Sequence, residues 1–164
     1  MAICSWISVS AGPVPFTLQT FAVFVTAALL GTKRGTIAVV VYILLGIIGV
    51  PVFAGLTGGP SVIAGPTGGF IVGFILTAII IGLLMNLANG KSEGVKLVIT
   101  VVAMVLGDVA CFAIGTVWFM VVTNNTVAVA LTYCVIPYII PDIAKIVVAT
   151  IIANRVKKYV QIFN

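Results

Sequence analysis

The sequence contains no histidine and almost no acid. Its 164 residues include eight lysines and arginines but only three acidic residues, which are Glu93, Asp108 and Asp142. The absence of histidine excludes imidazole catalysis and any metal site with a histidine ligand. The three cysteines are Cys4, Cys111 and Cys134. They are odd in number and scattered through apolar segments, which indicates small buried side chains and not a disulfide framework or a zinc site.

Charge of either sign is scarce. Charged residues make up 7% of the chain and hydrophobic residues 62%, whereas an ordinary soluble domain carries about 25% charged residues. This composition predicts an integral membrane protein embedded in the lipid bilayer. A net charge of +5 would suggest nucleic acid in a soluble protein. In a membrane protein it is explained by orientation in the bilayer, so no nucleic-acid partner is predicted.

Long apolar runs, separated by polar or Pro/Gly-rich breaks, predict an all-α fold. We expect six transmembrane helices in a single domain over residues 1–164. Residues 1–11 are too short to span a bilayer, which needs about 20 residues. We interpret them as the end of a truncated first helix that breaks at residues 12–16. The other predicted spans are 17–30, 36–50, 70–88, 95–122 and 141–153, with a short apolar segment at 127–136.

The basic residues occupy alternate loops. Seven of the eight follow the second or fourth predicted helix or lie in the C-terminal tail, and the other loops carry no charge. The positive-inside rule then places the Lys/Arg-rich loops and the C terminus in the cytoplasm. The outward loop at 49–69 is long and apolar, and lipid cannot satisfy its backbone groups. We therefore expect structured outward loops that cap a cavity.

Lys145 is the one basic residue that lies neither in a predicted cytoplasmic loop nor in the C-terminal tail. It follows Asp142 by three residues inside apolar sequence, so both side chains share one helix face, which Ala149 and Ala153 continue. A charge at the bilayer centre costs roughly 2.5–3.5 kcal/mol on insertion scales, and such residues are usually functional. The pair predicts a pocket for a small, partly apolar solute with an ionised or strongly hydrogen-bonding end. The alternative is an ion pair that only clasps helices together.

Five blocks of sequence, in this order, resemble the BioY family over nearly the whole chain. They are residues 12–19 (GPVPFTLQ), 30–35 (LGTKRG), 46–53 (GIIGVPVF), 65–70 (GPTGGF) and 141–145 (PDIAK). BioY is the biotin-binding S component of energy-coupling-factor (ECF) transporters. The resemblance implies a multi-pass protein of the bacterial cytoplasmic membrane that captures biotin outside. It also implies a transmembrane coupling subunit and two cytoplasmic ATPase subunits as partners. No Gly-x-x-x-x-Gly-Lys-Ser/Thr motif occurs in the sequence, so ATP hydrolysis is expected in those partners and not in this chain.

The chemistry of biotin suggests roles for individual residues. Its ureido ring carries N–H donors and a carbonyl, its sulfur ring and valeryl chain are apolar, and it ends in a carboxylate. Asp142 can accept from the ureido N–H groups, and Lys145 can donate to the carbonyl or carboxylate. Further substrate-binding candidates are the polar residues Gln19, Thr17 and Thr67, the aromatic residues Phe16 and Phe53, and Gly68 and Gly69, which would let the backbone approach the ligand.

Other residues are expected outside this pocket, and other functions stay open. Asn86 and Trp118 are expected at the membrane interfaces, and Asp108 matches no family block. No catalytic residue, metal or cofactor is predicted. The alternatives to biotin capture are binding of another vitamin-sized solute and a non-transporting assembly role. An enzyme is least favoured, because the sequence offers no cluster of nucleophile and base.

Overall fold

In the computed structural model the chain is a bundle of helices. The backbone is described for residues 1–9 and 14–162, and the side chains for residues 1–9 and 14–156. Residues 12–13 of the predicted break at 12–16, and the side chains of Lys157 and Lys158, lie outside this part. Strands β1 (Ser8–Val9) and β2 (Phe16–Thr17) pair antiparallel. The helices are α1 (Ala2–Trp6), α2 (Gln19–Ile47), α3 (Pro60–Ala64), α4 (Gly68–Leu87), α5 (Glu93–Thr123), α6 (Val127–Cys134) and α7 (Ile139–Ile162).

Helix α2 is folded back on itself at Gly31. The Gln19 side chain hydrogen-bonds that of Tyr42 at 2.6 Å, although 23 residues of straight helix would separate them by about 35 Å. Gly31 has φ 72° and ψ −173°, a conformation open essentially to glycine alone. The two arms therefore run antiparallel. They correspond to the predicted spans 17–30 and 36–50, but the break is confined to Gly31 and residues 32–35 are helical.

By length and composition alone, four stretches could cross a membrane: Gln19–Ile47, Gly68–Leu87, Glu93–Thr123 and Val127–Val156. The first of them contains the reversal at Gly31, and the last runs through α6 into α7. Large apolar side chains point outward along them, among them Val121 and Ile140, which are 71% and 80% exposed. Such a surface suits lipid and not water. The predicted helical membrane fold is thus confirmed, and the count of six spans stays a prediction.

The start of the chain differs from the prediction. A helix was expected through residue 11, but α1 ends at Trp6 and strand β1 follows. Two side-chain hydrogen bonds tie α1 to the loop after α2: the Ser5 hydroxyl donates to the Val52 carbonyl at 2.5 Å, and the Trp6 indole to the Pro51 carbonyl at 2.9 Å. Pairing with β2 then satisfies backbone groups that a continued helix would have bonded internally.

Helices α4 and α5 pack closely through small residues. A side-chain carbon added at Gly73 would lie 3.2 Å from Cys111, and one added at Gly107 would lie 3.1 Å from Thr77. Small residues let membrane helices approach to this distance. Gly107, Cys111 and Gly115 thus form a stripe of small residues where α5 contacts α4.

Five of the six basic residues whose side chains are described gather at one end of the bundle. Asn86, near the end of α4, donates to the Thr32 hydroxyl at 3.3 Å, so the α2 turn lies beside that end. Thr100 contacts Met85 at 3.4 Å, so α5 begins there too. The C-terminal part of helix α7 approaches the same end, because Thr150 contacts Met104 in the first half of α5 at 3.5 Å. We call this the basic end, and it carries Lys33, Arg34, Lys91, Lys96 and Arg155.

Candidate binding cavity

A cavity of about 290 Å³ lies among the described residues, toward the end opposite the basic end. Its volume is close to the lower end of the range for small-molecule sites, about 300–1,000 Å³. Almost every element contributes to its wall. The lining residues are Val14, Pro15, Thr17, Gln19, Thr20, Phe53, Ala54, Thr57, Val62, Pro66, Thr67, Phe70, Ile71, Phe74, Phe112, Cys134, Tyr138, Asp142 and Lys145.

An ion pair from the first turns of α7 forms the charged part of the wall. Lys145 Nζ lies 2.5 Å from Asp142 Oδ1, and the two residues are only 6% and 3% exposed. The ammonium is the close partner of this oxygen. An ionised carboxylate has about four acceptor sites, so Asp142 keeps capacity to accept a further hydrogen bond in the cavity.

Two further groups hold the ammonium of Lys145. It donates to the Thr20 hydroxyl at 3.0 Å, and it lies 4.3 Å from the centre of the Phe16 ring. A cation over an aromatic face within about 6 Å is attracted to it, more strongly where water is excluded. The start of α2 and strand β2 thus fix the charge that α7 carries.

Gln19 carries a second polar contact network at the start of α2. Its amide nitrogen donates to Tyr42 Oη at 2.6 Å, and Tyr42 Oη donates to the Val52 carbonyl at 2.7 Å. The Thr17 hydroxyl donates to the Gln19 amide oxygen at 3.2 Å. Gln19 and Tyr42 are both 6% exposed. Of these residues, Thr17 and Gln19 line the cavity and Tyr42 does not.

Aromatic rings form most of the remaining wall. Phe70 and Phe74 come from α4, Phe112 from α5, and Phe53 from the loop after α2. Tyr138 stacks on Phe16 with ring centres 6.3 Å apart, and its hydroxyl donates to the Val14 carbonyl. The wall of the cavity therefore combines a buried ion pair and polar groups with several aromatic rings.

The structure places most of the predicted site residues in this wall. Asp142, Lys145, Gln19, Thr17, Phe53 and Thr67 all line the cavity, and Phe16 lies behind the ammonium of Lys145. Contact of any of them with a ligand stays a prediction. Asn86 and Trp118 lie outside the lining, in agreement with expectation.

Gly68 and Gly69 do not line the cavity. A side-chain carbon at Gly68 would collide with the Ile63 carbonyl, and one at Gly69 would lie 2.7 Å from the Trp118 ring and closer still to its Cβ. The close approach that these glycines allow is therefore to protein, in the turn before α4 and against α5.

Several lining residues were missed by sequence reasoning. Phe70 and Phe74 are four residues apart on a helix, so their shared face was a usable signal. Thr20 directly follows Gln19, the last residue of the family block at 12–19. Phe112 and Tyr138 gave no signal, because only the packing of α5 beside α7 brings them to the cavity.

Asp108 is buried in α5 but does not line the cavity. It is 7% exposed, and its Oδ1 has no hydrogen-bond partner among the described residues. Nothing in its surroundings assigns it a role.

The fold places the chain in the class of helical membrane proteins that enclose an amphipathic cavity with a buried ion pair. Within that class, the sequence model of the BioY family matches residues 1–162. The chain belongs to the BioY family.

Curated relatives and a solved structure agree with this membership. The biotin transporter BioY of Thermotoga maritima is 42% identical over 158 residues, which cover 96% of this chain and 89% of that protein. The probable biotin transporter BioY of Pyrococcus horikoshii is 39% identical over 92% of this chain and 85% of its own length. A crystal structure of the S-component for biotin from an ECF-type ABC transporter superposes with a TM-score of 0.84 at 26% identity, covering 96% of this chain and 84% of that one.

Proposed function

We propose that this chain is the membrane subunit that captures biotin at the outer face for ATP-driven uptake. The observation that carries the proposal is the buried Asp142–Lys145 pair in the wall of an otherwise mostly apolar cavity, in a chain of the BioY family. A buried charge pair is expensive to keep in a membrane. Recognition of a polar ligand gives a reason for retaining it.

The cavity wall contains both charged and aromatic groups, which match the two kinds of surface on biotin. Asp142 keeps acceptor capacity for a ureido N–H, and the Lys145 ammonium supplies donors for the ureido carbonyl or the carboxylate. The aromatic rings of Phe70, Phe74 and Phe112 offer contact area for the sulfur ring and the valeryl chain.

The cavity faces the outside in this proposal. The basic end lies opposite it, and lysine- and arginine-rich ends of membrane proteins face the cytoplasm. A solute would thus enter the cavity from outside the cell.

Energy for uptake comes from other subunits in this proposal. The solved relative belongs to an ECF-type ABC transporter, and this sequence has no P-loop motif. We assign ATP hydrolysis to two cytoplasmic ATPase subunits, joined to this chain through a transmembrane coupling subunit.

A ligand panel on the detergent-purified chain tests the substrate. Calorimetry with biotin should give saturable binding at one site per chain, and thiamine or riboflavin should give none. Tighter binding of another vitamin would contradict biotin as the substrate. No binding of any vitamin would favour the clasp and the assembly role.

A further inference from the structure

The hydrogen bonds around Gln19 have a defined direction. The Val52 carbonyl can only accept, so Tyr42 donates its single hydroxyl proton to it at 2.7 Å. Tyr42 Oη must then accept from Gln19, and the group 2.6 Å away is the amide nitrogen, a donor. A flipped amide would place an acceptor against an oxygen whose proton is already used.

The other end of the amide is restrained in the same sense. The Thr17 hydroxyl accepts the backbone N–H of Gln19 at 3.2 Å and donates to its amide oxygen at 3.2 Å. Donors therefore run in one direction, from Thr17 through Gln19 and Tyr42 to Val52. Each end of the Gln19 amide keeps one unused hydrogen-bonding position. The nitrogen has a second N–H, and the oxygen has a second lone pair.

We propose that Tyr42 is a positioning residue that fixes the amide of Gln19 so that it reads a donor–acceptor pair on the ligand. Gln19 lines the cavity and Tyr42 does not. The Tyr42 hydroxyl therefore acts through Gln19, whereas its ring supports Phe53 of the cavity wall. A cyclic urea or amide carries an N–H beside a carbonyl, and an amide of fixed orientation is complementary to it. The inference rests on the proposed function, in which this group is the ureido ring of biotin.

The Tyr42 ring suits this task because it is held on both sides. It is buried, and it meets the Phe53 ring edge-on with centres 5.7 Å apart. The Ser5 hydroxyl lies 2.5 Å from the Val52 carbonyl and 2.6 Å from the Ala2 carbonyl, and its single proton can serve either. Replacing Tyr42 by phenylalanine therefore keeps the ring packing and leaves the Ser5 hydroxyl as a donor for the Val52 carbonyl, so the main change is the lost restraint on Gln19.

A double-mutant cycle on biotin affinity tests the inference, with the full chain in detergent and calorimetry as the readout. Tyr42→Phe should weaken biotin binding about three- to tenfold, the effect of one neutral hydrogen bond. Gln19→Met, of similar length but without the amide, should weaken it by about tenfold or more. Because Tyr42 acts through Gln19, the double variant should match Gln19→Met alone within about twofold. Losses that multiply, or a Tyr42→Phe variant with wild-type affinity, would overturn the inference.

Thr77→Val is the matched control for loss of a buried hydroxyl. Thr77 is 1% exposed, donates to the Gly107 carbonyl at 2.8 Å and lies outside the cavity lining. This variant should lower the unfolding temperature and leave biotin affinity unchanged. An equal loss of affinity in Thr77→Val would show general loosening and contradict the inference.

If Tyr42→Phe does not remain monodisperse, Thr17→Val releases the amide from its other end. The loss of biotin affinity in Thr17→Val must likewise vanish in the Gln19→Met background. Failure of the wild-type chain to bind biotin would instead contradict the proposed function itself.

Discussion

Among single residues, Lys145 is the most heavily constrained cation of the described part of the chain. One ammonium meets the Asp142 carboxylate, the Thr20 hydroxyl and the Phe16 ring. Each of these partners offsets part of the cost of removing the charge from water. The same constraints hold the ammonium in place for a ligand, because little rotamer freedom is left to lose on binding.

Neutralising both members of the pair separates a ligand site from a clasp. Asp142→Asn or Lys145→Met alone should lower the free energy of unfolding by about 3–5 kcal/mol, because the remaining charge is buried without its partner. The double variant should regain that stability. If the pair contacts biotin, affinity should nevertheless fall at least about tenfold, equivalent to 1.4 kcal/mol. Calorimetry and thermal unfolding on the monodisperse double variant measure both quantities.

The chain offers a matched control for this test. Glu93 and Lys96 form an ion pair with the same three-residue spacing at 2.9 Å, but their side chains are 85% and 28% exposed. Glu93→Gln with Lys96→Met should change stability by no more than about 1 kcal/mol and leave biotin affinity unchanged. A stable Asp142→Asn/Lys145→Met protein with wild-type affinity would show that the buried pair is only a clasp.

At the scale of elements, the hairpin within α2 depends on the backbone at Gly31. Gly31→Ala should lower the free energy of unfolding by about 1–3 kcal/mol, since the residue would be forced into a sparsely populated conformation. No atom lies within 4 Å of the added carbon, so crowding does not contribute. Unfolding temperature in detergent reports the loss.

Gly94→Ala is the control for the loss of a glycine as such. It too has open space around the added carbon, but its φ is not positive, and alanine favours helix over glycine. This variant should be as stable as wild type or slightly more so. Equal stability of the two alanine variants would contradict a glycine-specific turn at residue 31.

The bounds of the long helices follow closely from the sequence. The apolar run 70–88 appears as Gly68–Leu87, and the run 95–122 as Glu93–Thr123. These ends were predictable because short polar or glycine-containing turns stop each run. The last helix begins at Ile139, two residues before the predicted start, but it continues to Ile162, nine residues past the predicted end at 153. The α1–β1 region was not predictable, because its hydrogen bonds depend on a loop more than 40 residues away.

For the molecule as a whole, the basic end and the cavity end define a direction across the membrane. In a background where Cys4, Cys111 and Cys134 are alanine, Ser61→Cys and Thr126→Cys should react with an impermeant thiol reagent in intact cells. Ser92→Cys should react only after the cells are opened. All three positions are exposed, so access depends on sidedness. Labelling of Ser92→Cys in intact cells would reverse the proposed orientation.

Docking of a coupling subunit is proposed at the basic end, on the exposed residues Lys33 and Arg34. Arg34→Glu should reduce co-purification of that subunit and biotin uptake together, without changing biotin affinity. Lys91→Glu makes the same change of charge in the next loop of that end. Equal effects of the two variants would indicate anchoring to lipid headgroups, and no effect of Arg34→Glu would place docking elsewhere.

The sequence by itself determined the features that depend on composition and on spacing within one helix. Scarce charge and long apolar runs specify a membrane protein, and a three-residue spacing puts Asp142 and Lys145 on one face, because helix geometry relates near neighbours. Only the tertiary structure decided which distant groups meet. Thr20 against Lys145, and Tyr42 against Gln19, follow from the return of α2 at Gly31 and the packing of α7 beside it. Spacing along one helix does not predict such contacts, because they depend on which helices pack against each other.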